Sequence, residues 1–90
     1  MKYDELLKVC EKVEARLNEM GARGEVWAHS SGLPVFDVQI DWGDWKHDHL
    51  RVKWIVKEMG GVHIGSEVVE EDGSDCYSAI HHFAVGNIAA

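Results

Sequence analysis

The segment that decides the fold is residues 35–42, which reads VFDVQIDW. Its apolar side chains occupy every second position, and polar side chains occupy most of the positions between them. A period of two places these two sets on opposite faces of an extended chain, which is typical of a strand with one buried face. The segment therefore predicts a sheet that is covered on one side.

Four further segments are predicted to join this strand. Residues 50–57 alternate in the same way, with Leu50, Val52, Trp54 and Val56 on the apolar face and with Arg51, Lys53 and Lys57 matched by acidic neighbours on the other. Shorter apolar patterns indicate strands at 25–29 and 62–70, the latter with Val62, Ile64 and Val68 on the apolar face. Residues 75–85 follow a strong hairpin signal at 72–73 and are predicted to be the last strand, with a helix over the same residues as the open alternative. Short turns between the segments keep one apolar face throughout, so we expect a five-stranded antiparallel meander.

The first twenty residues follow a helical pattern. Apolar side chains recur at spacings of three and four from Tyr3 to Met20, which forms one stripe on an α-helix, and Gly21 and Gly24 are placed to end it. A helix across the apolar face of an antiparallel sheet is an α+β fold. The chain shows no linker and no repeat, so residues 1–90 are predicted to be a single compact domain.

The charge of the chain argues against several classes of function. Acidic residues outnumber basic ones 16 to 9, giving a formal charge of −7, and the whole excess lies in residues 25–90. Direct nucleic-acid binding is not expected, because it depends on basic side chains that contact phosphates. The chain has no apolar run of the roughly 18 residues that a membrane helix needs and no signal-peptide pattern, so a cytoplasmic protein is expected.

The uncovered face of the predicted sheet and its acidic turns form the candidate binding surface. In the predicted register a partly apolar row crosses this face, and it consists of Trp27, Asp37, Ile55, Gly65 and Ile80. Trp45, in the 43–49 loop, has no partner in the core. Exposed aromatic side chains are favoured anchors of protein interfaces. The predicted binding surface consists of Trp27, Asp37, Asp41, Asp44, Trp45, Asp48, Ile55, Glu67, Glu70, Glu71, Asp72 and Ile80.

These features predict a small, acidic, non-enzymatic binding module with a basic protein partner. Size and charge favour an inhibitor that covers the basic surface of a nucleic-acid-handling protein, as accessory proteins of phages and mobile elements do. A homodimer or larger homo-oligomer that uses the same surface is an alternative. No catalytic residue and no cofactor are predicted, because no motif of a nucleophile with its base surrounds Cys76.

The histidines supply a further alternative, a metal- or ligand-binding domain. Neutral imidazole is a common zinc ligand. The chain has six histidines, and the predicted register makes His63 and His82 cross-strand neighbours. No zinc-type motif spacing accompanies them. The candidate metal ligands are His47, His49, His63 and His82, whereas His81 is predicted to face the core as a hydrogen-bonded structural residue.

Overall fold

The computed structural model describes residues 1–41, 45–70 and 77–90. Within these residues the order helix–strand–strand occurs twice, which confirms the α+β class. The elements are α1 (Tyr3–Glu19), β1 (Glu25–Ala28), β2 (Val35–Asp41), α2 (Trp45–Met59), β3 (Val62–Glu70) and β4 (Tyr77–Ala84). Residues 77–84 are thus a strand, as the sequence favoured.

The described strands form a four-stranded antiparallel sheet in the order β1-β2-β4-β3. The central pair joins β2 to β4, so that Phe36 lies opposite Phe83 and Asp37 lies opposite His82. The predicted five-stranded meander is therefore wrong. The chain leaves β2, passes through α2 and returns as β3 on the far side of β4, so strands that are distant in sequence become neighbours.

The prediction of a strand at 50–57 is wrong, because these residues belong to α2. Val52 and Val56 are fully buried, as an alternating strand would also have them. A strand and a helix differ in where they place the residues between the two valines. Ile55 is 2% exposed, as a helix requires, whereas Trp54 is 55% exposed. Leu50, which like Trp54 was predicted to be a core residue, is 67% exposed. Spacings of three and four among the buried residues are those of a helix.

Both helices pack on the same face of the sheet. The apolar stripe of α1 meets the buried side chains of α2 and of the two central strands in one core. Tyr3 and Leu7, which the sequence placed in the stripe, are 65% and 38% exposed, and Val9, which it did not, is fully buried. Cys10 lies in this stripe, and burial raises the pKa of its thiol to about 11, so it stays a protonated apolar residue at neutral pH. The largest fully buried side chains are Phe36, Phe83, Leu17, Ile40 and Ile55.

The C-terminal residues 86–90 return to the helical side of the molecule. Ile88 is buried in the core beneath the helices, and the Ala89 carbonyl accepts a 2.8 Å hydrogen bond from Lys12 Nζ of α1. The Asn87 backbone N–H donates to the Gly60 carbonyl at the end of α2, at 2.8 Å. The tail is therefore held against the helices and leaves the opposite face of the sheet uncovered.

Gly21 ends α1, as the sequence predicted, and offers a simple test of the helix terminus. Its φ is +68°, and a Cβ atom built at this position meets nothing within 4 Å. Replacement by alanine is therefore expected to cost only the backbone penalty of the left-handed conformation, about 1 kcal/mol. Urea unfolding of Gly21→Ala measures it. A variant as stable as the wild type would contradict a left-handed residue here.

Candidate binding face of the sheet

One face of the sheet is left open by the helices, because every core side chain of the strands points to the other face. Along each strand, the residues between the core positions belong to what we call the open face. The strand pairing defines it as Glu25, Trp27, Val35, Asp37, Gln39, Asp41, Val62, Gly65, Glu67, Val69, Ser78, Ile80, His82 and Ala84. The face is continuous across the four described strands.

A row of four residues crosses the centre of the open face. Trp27 lies beside Asp37, Asp37 lies opposite His82, and His82 lies opposite Gly65. The sequence predicted Trp27, Asp37 and Gly65 in one row but placed Ile55 in the position that His82 occupies. Two differences cause that error: residues 50–57 belong to α2 and not to the sheet, and the chain passes through α2 to place β3 on the far side of β4, so that β4 pairs with β2.

Asp37 and His82 form the polar centre of this row. His82 Nδ1 donates a 2.6 Å hydrogen bond to Asp37 Oδ1, and the aspartate is only 5% exposed. His82 Nε2 lies 3.5 Å from Glu67 Oε1, whose side chain is 58% exposed. Two carboxylates from the flanking strands therefore hold one imidazole, and the bond to the buried aspartate fixes its orientation.

His29 approaches the same centre from the end of β1. Its backbone N–H donates to the Val35 carbonyl at 3.0 Å, which extends the β1–β2 pairing by one residue. Its ring lies edge-on to that of His82, with ring centroids 5.9 Å apart. His29, Asp37 and His82 each offer one ligand atom, and these three atoms all lie within 4.8 Å of one another.

The charge of the sheet has one sign. None of the four described strands contains a lysine or an arginine, whereas they hold five acidic residues. Arg51, Lys53 and Lys57, which were predicted to lie on a central strand and to neutralise acidic neighbours, instead lie on α2 behind the sheet. The negative charge of the open face therefore has no lysine or arginine partner among the side chains of the described strands.

Apolar side chains accompany the acidic ones on the open face. Trp27 and Ile80 are half-buried, and Val62 is 53% exposed. The open face therefore combines one aromatic and several aliphatic side chains with carboxylates.

The predicted surface residues fall into four groups. Five of them lie together on the open face, namely Trp27, Asp37, Asp41, Glu67 and Ile80. Glu70 ends β3 at a position on the helical side of the sheet, and Asp48 lies in the first turn of α2. Ile55 is buried in the core, so its predicted place on the surface is wrong. Asp44, Glu71, Asp72 and the side chain of Trp45 lie outside the described residues.

A second histidine cluster lies on the helical side of the sheet. His49 Nδ1 contacts His81 Nε2, and His81 Nδ1 lies 2.6 Å from Ser66 Oγ, which is in turn 2.8 Å from His63 Nε2. Three neutral imidazoles and one hydroxyl satisfy this chain when His81 and Ser66 each donate one hydrogen bond and accept another within it. His81 is 4% exposed, which confirms it as a buried, hydrogen-bonded histidine.

The imidazoles of this helix-side cluster are held neutral. Burial lowers the pKa of His81 to about 4, and the charges of His49 and Lys53 contribute in the same direction. The pKa values of His49 and His63 are also lowered, mainly by burial and secondly by the positive charge of Lys53. A cavity of about 240 Å³ opens beside the cluster. A base with a pKa near 4 is a weak proton acceptor at neutral pH.

The three predicted metal ligands whose side chains the structure describes do not come together. His49 and His63 belong to the helix-side cluster, whereas His82 lies on the open face, so the predicted pairing of His63 with His82 is wrong. The side chain of His47 lies outside the described residues. Sequence reasoning missed His29 as a neighbour of His82, because these residues meet only through the long-range pairing of β2 with β4.

Comparison with protein-family models, with curated proteins and with solved structures found no match to this chain. Among the described residues, no helix is both long and apolar enough to cross a membrane.

Proposed function

We propose that the protein is a non-enzymatic binding module that docks its open face onto a basic surface of a partner protein. The observation that supports this most is the absence of lysine and arginine from all four described strands, on a face that carries exposed carboxylates. Three carboxylates are exposed there: Glu25 is the first residue of β1, Asp41 is the last residue of β2, and Glu67 lies in the middle of β3. They surround the partly exposed apolar groups of Trp27 and Ile80.

Charge favours a basic partner over a second copy of the chain. In a two-fold symmetric dimer the same patch meets itself, so carboxylates would face carboxylates with no strand lysine or arginine to pair with them. Like charges placed together across an interface cost several kcal/mol. A basic surface instead gains attraction from each exposed carboxylate, which speeds association and sets the orientation of docking.

The class of partner that fits best is a nucleic-acid-handling protein, whose phosphate-binding surface is basic. We propose that the protein covers this surface and thereby inhibits its partner, and that it does so in the cytoplasm. The unpaired thiol of Cys10 is ordinary in that compartment.

A triple charge reversal on the open face tests this function. Wild-type protein and the variant Glu25→Lys/Asp41→Lys/Glu67→Lys are used as baits in lysate of the source cells. The protein that the wild type captures is then purified and titrated with both baits. We expect a basic partner whose affinity falls about 10- to 100-fold in the variant, since three surface ion pairs of up to about 1 kcal/mol each are reversed.

The matched control reverses three exposed carboxylates on the helices, Glu11, Glu14 and Glu58. It changes the net charge by the same amount and is expected to keep the partner. Raising the salt concentration should weaken the wild-type complex, because exposed charges are screened. Capture of no protein, equal loss in both variants, or a salt-independent complex would each contradict the proposal. Self-association of the wild type that the open-face variant abolishes would favour the homodimer.

A further inference from the structure

The open face carries a second feature that does not depend on a protein partner. His29, Asp37 and His82 come from the end of β1, from β2 and from β4, and their ligand atoms lie within 4.8 Å of one another. We propose that these three side chains bind a divalent transition-metal ion, with Zn²⁺ as the reference ion. This metal site goes beyond the proposed function and is tested independently of it.

The donor set selects the class of metal. Two imidazoles and one carboxylate are the ligands that zinc and the neighbouring first-row metals take, whereas magnesium and calcium prefer oxygen ligands alone. Ligands at about 2.0–2.2 Å from a tetrahedral zinc ion are about 3.4 Å apart. A separation of 4.8 Å therefore has to shorten by about 1.4 Å, and the 2.6 Å between His82 Nδ1 and Asp37 Oδ1 has to lengthen by about 0.8 Å, both within the reach of side-chain rotation.

The two strand ligands are already in place. Asp37 and His82 are direct cross-strand partners in the centre of the sheet, which fixes their backbones relative to one another. Their 2.6 Å hydrogen bond shows that the two side chains already meet. An ion between His82 Nδ1 and Asp37 takes the place of the shared proton, and the ring proton then lies on Nε2.

Glu67 is positioned to support this arrangement. Its Oε1 lies 3.5 Å from His82 Nε2, where a carboxylate can accept the N–H of the metal-bound ring. Histidine ligands commonly donate their second nitrogen to a carboxylate in this way. Glu67 is thus a positioning residue, and it makes the site more negative.

His29 completes the set at some cost. The Ser31 backbone N–H approaches His29 Nδ1 at 3.2 Å, a long hydrogen bond. Coordination through Nε2 places the ring proton on Nδ1 and gives up that bond. The electrostatic surroundings favour a cation, because no lysine or arginine lies in any described strand.

Zinc titration of the chelator-treated, untagged protein tests the site. Calorimetry and native mass spectrometry measure affinity and stoichiometry in wild type, His29→Gln, His82→Gln and the control His63→Gln. We expect one zinc ion per chain, at least a tenfold weaker affinity in the first two variants, and an unchanged affinity in His63→Gln, which belongs to the helix-side cluster. Cobalt substitution gives an independent readout, since its visible absorption reports the ligand set.

His29 lies beyond the last residue of β1, so His29→Gln is expected to fold even if His82→Gln does not, and circular dichroism verifies this. The proposal is overturned by three results: no binding at millimolar zinc, unchanged affinity in folded His29→Gln, or loss of binding in His63→Gln. Because no partner takes part in the titration, these results are distinguishable from a failure of the proposed protein-binding function.

Discussion

Replacing Ile55 by aspartate is expected to unfold the protein, whereas the same replacement at Trp54 is expected to leave it folded. Ile55 is 2% exposed in the core, and Trp54 is 55% exposed. Loss of a buried isoleucine costs about 2–5 kcal/mol, and burial of the carboxylate adds several more. Together these approach or exceed the total stability of about 5–15 kcal/mol that is usual for a small domain.

Far-ultraviolet circular dichroism and urea unfolding at neutral pH measure both variants. Trp54→Asp is the matched control, because it introduces the same charge one residue away on the outer surface of α2. Its cost is expected to be about 1 kcal/mol or less, as for most surface substitutions. A folded Ile55→Asp together with an unfolded Trp54→Asp would show that residues 50–57 form a strand after all.

Acidification from pH 7 to pH 5 is expected to remove about 2 kcal/mol of stability through His81 alone. Its pKa is lowered from 6.5 to about 4 in the folded protein, chiefly by burial. Below pH 6.5 the unfolded chain takes up a proton that the folded chain refuses, so stability falls as the pH falls and stops falling near pH 4. His49 and His63, with pKa values shifted in the same direction, add to the loss.

The measurement is the free energy of unfolding by urea at pH 7, 6 and 5, above the range in which ordinary carboxylates titrate. The variant His81→Gln cannot take up the proton, so its stability should depend less steeply on pH than that of the wild type. Parallel pH profiles for the two proteins would show that His81 does not have the depressed pKa.

The sequence predicted the elements whose patterns have one interpretation. The stripe of α1 has only a helical period, and the alternation of β2 has only a strand period. His81 could be assigned to the core because Ala79 and Phe83, two residues away on either side, share its face of β4. In each case local periodicity and burial agree.

Residues 50–57 show why the rest was not predicted. Val52 and Val56 are four apart, so they share a face in a strand and in a helix alike, and only Trp54 and Ile55 distinguish the two. The large aromatic residue at position 54 favoured the strand. In the folded protein it lies on the outer surface of the helix, and the smaller isoleucine fills the core.

The centre of the open face was beyond sequence reasoning for a different reason. Asp37 meets His82 through the pairing of β2 with β4, across a stretch that includes all of α2 and β3. Local alternation fixes which face a residue takes but not which strand lies beside it. An irregularity between His63 and Gly65 also shifts the pairing of β3, so Val62, which the sequence placed on the core face, lies opposite Ala84 on the open face and is 53% exposed.

The anchored tail has a practical consequence for measuring these interactions. Ile88 and the bond from Lys12 to Ala89 hold the C-terminus on the helical side, behind the sheet. A fluorophore, a biotin or a surface linker attached after Ala90 therefore emerges away from the open face. Immobilisation through that end presents the carboxylates and histidines of every molecule to the solution in one orientation.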